Sequence, residues 1–433
     1  MKKKVAIMHF GCAKNLVDTE LMAGKLISSG YEISLNPQDD DLYAILINTC
    51  SFIQDAEKES VRAILECAQR GVKIVVAGCL AQKYQQELKE IMPEITSLVG
   101  ISDVSLIADV LDNFEDKLQE KPKYIYPEDI ERAHITVGSS AYIKIAEGCD
   151  YACGYCVIPK LRGGYISRRI EDIVREAKNL AKKGIAEVIL IAQDTTNYGS
   201  DIYGKPMLHR LLEELNKLNE ISWIRVLYAY PTNFTDELIE AYKNLDKVVK
   251  YIDIPLQHSH PAMLKRMCRP VQNYEELIKK IRKAIPEVCI RTTFITGYPA
   301  ETEEEFEHLR DFIQRMRFDR VGIFAFSREK GTYADKLKPQ IKASIKNARK
   351  KELLAIQQKI SYEINMSLVG KTIPCIIEQV TDKGVIARSF KDAPDVDGLV
   401  YIKTKENLAP CDIVPVEIID ASEYDLWGRV SEA

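Results

Sequence analysis

No apolar run in this chain approaches the roughly 20 residues that a membrane-spanning helix needs. The run that follows the opening lysines, Val5 to Phe10, contains His9 and is too short for the core of a signal peptide. There is no surplus of positive charge: 60 Lys and Arg stand against 64 Asp and Glu, for a net charge of −4. A global basic field that would draw in nucleic acid is therefore missing, and no solenoid-type repeat is visible. With neither a membrane span nor an export signal, a cytoplasmic protein with no membrane partner is expected. Thiols stay reduced there, so the eleven cysteines are not expected to form a disulfide framework. Metal or redox chemistry is the better reading of any cysteines that cluster.

What the chain has is length and an even mix. Its 433 residues, 46% apolar and 29% charged, suit a soluble globular protein of two or three domains. The first part alternates short apolar runs ("KVAIMHF", "YAILINT", "KIVVAG") with amphipathic stretches ("LVDTELMAGKLISSG", "QDAEKESVRAILECAQRG", "KYQQELKEIM"). The runs read as buried parallel strands and the stretches as helices, which predicts a small doubly wound α/β domain over residues 1–111. Residues 112–136 are charged and contain proline, and read as a linker. Over residues 137–366 six candidate strands, from "AYIKIA" to "VGIFAFS", are each followed by a helical stretch. That predicts a partial (β/α)6 barrel with an open side. A long charged helix is expected at about Gln340–Ser367, and residues 367–433 switch to short strands and turns, a small β-barrel.

Cys149, Cys153 and Cys156 fall within eight positions in "AEGCDYACGYC". Core filler and zinc are the bland readings. Zinc needs a fourth ligand, and the next histidine downstream is His209. A cubane iron–sulfur cluster held by three thiolates differs, because it leaves one iron open for an outside ligand. "AYIKIAEG" is the first barrel strand, so the three thiols lie on the first βα loop, at the catalytic mouth of such a barrel.

Cys12, Cys50 and Cys79 are far apart in sequence, yet each follows a predicted parallel strand at its carboxyl end. In a doubly wound sheet those ends form one crevice. Strand ends that simply tolerate cysteine compete here with a second three-thiolate cluster. Cys67, Cys268, Cys289, Cys375 and Cys411 read as structure.

The motif Cys149-x3-Cys153-x-Tyr155-Cys156 resembles the signature of the radical S-adenosylmethionine (SAM) enzymes. The whole chain resembles the methylthiotransferases, which join an N-terminal α/β domain with three cluster cysteines, a radical-SAM partial barrel and a TRAM β-barrel. "GCAKNLVDTE", "LIAQDTTNYGSDIYG", "YAYPTNFTDELI", "IDIPLQHSHPAMLKRM" and "FDRVGIFAFSREKGT" are similar to the ribosomal-protein (RimO) branch rather than the tRNA branch. Ala13 replaces that branch's usual proline, and "GYISRR" and "GYPAET" are mild departures.

The resemblance implies roles by position. Cys149, Cys153 and Cys156 would hold the cluster that binds S-adenosyl-L-methionine and would be the catalytic set; Cys12, Cys50 and Cys79 would hold an auxiliary cluster, making two 4Fe-4S clusters. Tyr155 would lie near the adenine. Ser167, Arg168, Gln193, Asp194, Gly297, Pro299 and Glu301 would contact the cofactor, although Arg168 also reads as a surface charge and Gly297–Pro299 as an ordinary turn. His258 either touches substrate or caps its loop. The implied reaction is methylthiolation of the β-carbon of an aspartate in the small-subunit ribosomal protein numbered twelve. A SAM-derived radical would meet a methylthio group carried on the auxiliary cluster, with the two open irons facing one another across a dry cavity. A low-potential electron donor of flavodoxin or ferredoxin type would be needed. The rivals are a tRNA adenosine methylthiotransferase and a non-catalytic iron–sulfur electron carrier. No tRNA is expected as partner: from Ser367 onward seven Lys and Arg face twelve Asp and Glu, the wrong sign for phosphate binding. Asp392, Asp395 and Asp397 are expected to form an acidic surface that steers a basic ribosomal protein in.

Overall fold

The computed structural model describes residues 2–51, 54–119, 126, 131–136, 138–404 and 406–431. Of the stretch read as a linker, residues 120–125 and 127–130 lie outside the described residues. The chain divides into two compact units. The first is Met1–Thr136 with Ala146–Tyr151 and Cys156–Arg168; the second is Val137–Ile145 with Ala152–Tyr155 and Arg169–Ala433.

Among the described residues the first unit is built on a five-stranded parallel sheet in the spatial order Glu32–Ser34, Lys4–His9, Leu42–Thr49, Lys73–Gly78, Ile95–Val99. Period-2 alternation sorts its apolar residues onto two faces. Val5, Ile7, Ala44, Leu46 and Val75 pack on one side with Met22 and Leu26 of the helix Ala13–Ser28. Ala6, Ile45, Ile47, Ile74 and Val76 pack on the other with Ile64 of the helix Gln54–Ala68. Both faces are covered, which is why the strands read as continuous apolar runs. The doubly wound expectation is met, with one local correction. The helix expected in "KYQQELKEIM" is broken at Gln85, whose φ of 48° ends Cys79–Tyr84 and starts Gln86–Ile91.

The second unit holds a six-stranded parallel sheet among its described residues, with Ser140–Lys144, Glu187–Ile191, Trp223–Val226, Val248–Asp253, Cys289–Thr296 and Arg320–Ala325 side by side in chain order. This is the predicted run of βα units. The helix Glu303–Met316 shows how crisply one begins: Thr302 Oγ1 accepts from Glu305 N at 3.2 Å and Glu305 Oε2 accepts from Thr302 N at 2.9 Å, a capping box. The long helix runs Ala343–Met366, and beyond it five strands close into a barrel.

That barrel is joined to the parallel sheet by buried charge. Glu187, fully buried, accepts from Arg225 Nε at 2.7 Å and pairs with Arg388 of the barrel. Arg388 also reaches Glu378, whose Oε1 takes Ser139 Oγ at 2.7 Å. Arg320 pairs with Asp392 at 2.7 Å, and Tyr251 donates to Asp397 at 2.6 Å. The expected acidic surface is corrected here. Asp392 and Asp397 point inward and are consumed by these partners, and only Asp395 of the three stays exposed.

Burial alone would raise the Glu187 carboxyl, but Arg225 and Arg388 outweigh it and hold it below its ordinary value. Its pairing energy is therefore complete above the unfolded carboxylate's pKa, about 4.3, and is lost as pH falls through the lower folded value. Glu187→Gln leaves two buried guanidinium groups short of a partner and is expected to cost about 3–5 kcal/mol. Urea unfolding at neutral pH should show this as a lower midpoint, with the difference from the parent shrinking as the pH drops below about 4.

Candidate functional site

In the first unit the strand order reverses between Lys4–His9 and Leu42–Thr49. Ligands in such sheets bind at the carboxyl ends beside this switch point. Cys12 follows the first of these strands, Cys50 the second, and Cys79 the neighbouring Lys73–Gly78. The register keeps their ends level: His9 lies opposite Asn48, and Thr49 opposite Gly78. A Cβ on Gly11 would sit 2.8 Å from Cys50 Sγ, so the turn that carries Cys12 runs against Cys50 and admits only glycine there, at φ 96°. Cys79 Sγ lies 3.7 Å from Asn15 Oδ1 in the first turn of the Cys12 helix. All three strand-end cysteines thus meet in one crevice.

Neighbouring strands are about 4.8 Å apart, so three strand ends span about 10 Å. Among the described residues, no three His, Cys, Asp or Glu side chains close tightly enough to hold a single metal ion. The spacing fits a multi-iron cluster, and soft thiols are the donors such a cluster takes. Burial pushes the Cys12 thiol up, but Lys14, Arg162 and the backbone N–H groups of Asn15 and Lys14 overcome it and hold it below its ordinary value. At Cys79 burial wins over Arg162 and pushes the thiol up.

The SAM-type motif sits on a tightly tied loop. In the first unit, Ala146–Glu147 pairs antiparallel with Ile166–Ser167. Cys149 N donates to Gly163 O at 3.1 Å, and Tyr165 N to Asp150 Oδ1 at 3.0 Å. A Cβ on Gly148 would strike Gly164 O at 2.0 Å. Ile158 N points at Cys156 Sγ, 3.4 Å away. Ser167 is buried in the short strand, and Arg168 is buried over the Tyr126 ring at 3.5 Å, so it is not a surface charge.

The second unit holds Cys153 and Tyr155. Gly154 between them donates to Met267 O at 2.8 Å and accepts from Ala334 N at 2.8 Å. A Cβ there would meet Tyr298 Oη at 2.6 Å, so this close approach requires glycine. Arg269, which sequence reading missed, lies in the same place. Its Nη1 is 3.9 Å from Cys153 Sγ and 3.2 Å from Tyr155 Oη, its Nη2 donates to Pro255 O at 2.9 Å, and its guanidinium stacks 4.4 Å over Tyr230. No spacing rule marks Arg269; its position beside Cys153 comes from a distant turn. Cys149 and Cys156 belong to the first unit and Cys153 to the second, and chain continuity keeps the three within eight residues.

The other expected contacts lie at carboxyl ends of the second unit's parallel strands. Asp194 is buried and accepts from Thr196 N at 2.8 Å, Thr196 Oγ1 at 2.6 Å and Asn197 N at 3.2 Å, which fixes the turn after Glu187–Ile191; Gln193 precedes it. Glu301 Oε2 takes Gly297 N at 2.7 Å and Arg349, while Oε1 faces His258 Nε2 at 3.4 Å. His258 Nδ1 accepts from His260 N at 3.0 Å, so this fully buried ring caps its loop. Gly297 has φ 73° and no room for a Cβ beside Lys346, and Pro299 is buried two residues on. Tyr228, Gln257 and Ala300 carry φ of 64°, 69° and 60° just beyond the third, fourth and fifth strands. Strained backbone of this kind gathers at functional sites, and Tyr and Gln give no sequence sign of it. Of the remaining cysteines, Cys67, Cys289 and Cys375 are buried, and Cys411 Sγ reaches Gly184 O at 3.1 Å.

Three families match the chain in order: Uncharacterized protein family UPF0004 over residues 4–100, the Radical SAM superfamily over 143–313 and the TRAM domain over 369–430. Among solved structures it is similar to the radical S-adenosylmethionine methyltransferase TsrM from Kitasatospora setae, with cobalamin and a [4Fe-4S] cluster bound. The TM-score is 0.55 at 15% identity, over 75% of this chain and 72% of that one. It is also similar to the cobalamin-dependent radical enzyme OxsB, at TM-score 0.51 and 12% identity, over 82% and 56% of the two chains. At such identity these likenesses establish a radical-SAM fold and nothing finer. Two curated proteins, both called ribosomal protein uS12 methylthiotransferase RimO, go further. The one from Thermoanaerobacter sp. is 47% identical over 99% of this chain and 100% of its own length. The one from Caldanaerobacter subterraneus subsp. tengcongensis is 48% identical over the same shares. The chain belongs to the RimO family of radical SAM methylthiotransferases.

Arg269 ties Cys153 and Tyr155 to the backbone of Pro255, and a hydrogen bond to a charged group contributes roughly 1.5–3 kcal/mol. Arg269→Gln should therefore loosen that loop: iron chelation from reconstituted protein is expected to speed up by about 10-fold, the equivalent of about 1.4 kcal/mol. Arg269→Lys should recover part of the loss. An unchanged chelation rate in both variants would leave Arg269 with no hold on the loop.

Proposed function

We infer that the chain is a radical SAM enzyme that methylthiolates ribosomal protein uS12, using two [4Fe-4S] clusters and S-adenosyl-L-methionine. The observation that carries this is the near-complete match to RimO proteins, at 47–48% identity along the whole chain. The in-register thiol crevice of the first unit supports it, since a sulfur-transferring enzyme needs a second thiol-rich site beyond the SAM motif.

Cys149, Cys153 and Cys156 are the residues proposed to hold the cluster that binds SAM, and Cys12, Cys50 and Cys79 the auxiliary one. When bound, these groups supply reductive cleavage of SAM and the sulfur to be transferred to the β-carbon of an aspartate. The chain's own part is to hold and to exclude. Gly148 and Gly154 let the backbone close tightly around the motif. Asp194 and Glu301 each spend one oxygen on backbone N–H groups and so keep their strand-end loops in one shape, which leaves the proposed SAM contacts Gln193, Gly297 and Pro299 on rigid supports; Tyr155, Ser167 and Arg168 are the other contacts proposed. A neutral His258, its ring pushed down by burial against the pull of Glu301, adds no charge to that mouth. Reductive cleavage requires a low-potential donor, for which a flavodoxin or ferredoxin type is proposed. No helix among the described residues is long and apolar enough to cross a membrane, and a cytoplasmic location is proposed from the ribosomal substrate.

With Asp392 and Asp397 buried, the small barrel offers a different surface for uS12. Tyr401 and Trp427 stack at 5.8 Å beside a cavity of about 730 Å³ that Ile419, Asp382, Asp420, Lys383 and Lys403 also line. The charges around it balance, so the exposed aromatic anchor is what suits it to a protein partner. Trp427→Ala is expected to weaken uS12 binding by about 2 kcal/mol, roughly 30-fold, and to leave SAM cleavage without uS12 unchanged. Titration of each variant with purified uS12 checks it.

The two cysteine sets separate the half-reactions. Replacing Cys149, Cys153 or Cys156 should abolish release of 5′-deoxyadenosine. Replacing Cys12, Cys50 or Cys79 should leave that release in place and stop methylthiolation, with iron falling from about eight to about four per chain in either set. Mass spectrometry of uS12 and iron analysis read the two outcomes. A Cys12, Cys50 or Cys79 variant with full iron and normal product would sink the assignment.

A further inference from the structure

Arg162 has no part in the mechanism above, yet its guanidinium is among the largest fully buried groups, at 2% exposure. It ends the short helix Ile158–Arg162, which is seated because Val157 and Leu161 pack into the core of the first unit. The fork then spreads over four partners. Nη1 donates to Glu147 Oε2 at 2.8 Å and lies 3.5 Å from Asp18 Oδ2. Nη2 donates to Asn15 Oδ1 at 2.6 Å and to Cys79 Sγ at 3.6 Å.

Asn15 carries the contact onward. Its Nδ2 donates to Thr49 O at 2.9 Å, one residue before Cys50, and to Phe10 O at 3.2 Å, two residues before Cys12. One guanidinium therefore touches one thiol of the crevice and, through one amide, steadies the backbone that presents the other two. Stability alone does not call for this arrangement, because an apolar group of similar volume fills a buried ion-pair site as well or better. A fixed cation with an N–H aimed at sulfur does something an apolar group does not: it stabilises the more negative, reduced state of whatever those thiolates hold.

We propose that Arg162 is a positioning residue for the Cys12, Cys50 and Cys79 set, which donates to the Cys79 sulfur and raises the reduction potential of the cluster held there. This rests on the reading of those three cysteines as ligands, and the test keeps the two apart. The full-length chain with Cys149→Ala, Cys153→Ala and Cys156→Ala serves as parent and should hold about four irons. Arg162→Gln and Arg162→Lys are added to it, each is reconstituted anaerobically, and iron content and an EPR-monitored redox titration are recorded. Arg162→Gln should titrate at a lower potential than the parent with an altered EPR signal. Arg162→Lys, which keeps the charge and loses the fork, should fall between them. If Arg162→Gln fails to load, a lowered potential in Arg162→Lys supports the proposal by itself. Equal potentials in the parent and every variant that loads overturn the proposal while the ligand reading stands. A parent that binds no iron overturns the ligand reading, and the proposal with it.

Discussion

The crevice of the first unit depends on the register of three parallel strands. Thr49 lies opposite Gly78 and His9 opposite Asn48, so the three chains run out of sheet at the same level. Side chains alternate faces along a strand, and a slip of one residue would send a thiol to the far side. The register is specified from both faces at once. Ala44 and Leu46 belong to one core and Ile45 and Ile47 to the other, so no shifted pairing keeps both sets buried. Asn48 and Asn15 add a polar lock, with Asn48 Nδ2 donating to Asn15 O and to Thr19 Oγ1, both at 2.8 Å.

Close backbone approach is the second constraint, and glycine meets it at the points where the thiols are presented. Gly11 clears Cys50, Gly148 clears Gly164 and Gly154 clears Tyr298. Each is within one residue of a proposed ligand cysteine. The loops are thereby stiff without bulky side chains of their own, which suits a site whose ligands must be held to a fraction of an ångström. Buried arginines complete the pattern. Arg162 reaches Cys79 in one unit and also donates to Asn15 and Glu147, and Arg269 approaches Cys153 in the other and also donates to Tyr155 Oη and Pro255 O. Desolvating a guanidinium is costly, and both costs fall beside cysteines proposed as cluster ligands.

The architecture was legible because it rests on periodic burial. Continuous apolar runs such as "YAILINT" mark strands covered on two faces, and their placement alone locates the strand-end cysteines. Local spacing likewise exposed the Cys149, Cys153 and Cys156 loop. Features made by distant pairing were not legible. Arg269 lies 116 residues from Cys153 and 114 from Tyr155, and nothing in "MCRPV" announces a partner. Tyr228 and Gln257 adopt positive φ for reasons of tertiary closure, since Tyr228 N must reach Asp253 Oδ2 and Gln257 N must reach Thr293 O.

The acidic loop shows why composition misleads about surfaces. Counting charges from Ser367 onward treats every carboxylate as solvated, yet Asp392 and Asp397 neutralise Arg320 and Arg291 of the parallel sheet. Burial of Asp397 would raise its carboxyl and does so even against Arg291 and Arg320, a position no docking charge would occupy. The small barrel therefore spends charges of both signs on the sheet beneath it, Arg388 and Lys391 as well as Asp392 and Asp397, and these two carboxylates are not free to meet a partner. What remains exposed is mixed: Asp395 and Val396 on that loop, and the Trp427, Ile419 and Val380 face elsewhere on the barrel. The docking proposed there would draw on apolar contact for affinity and on the exposed charges for steering, which is the division of labour that interfaces with aromatic anchors and charged rims show in general.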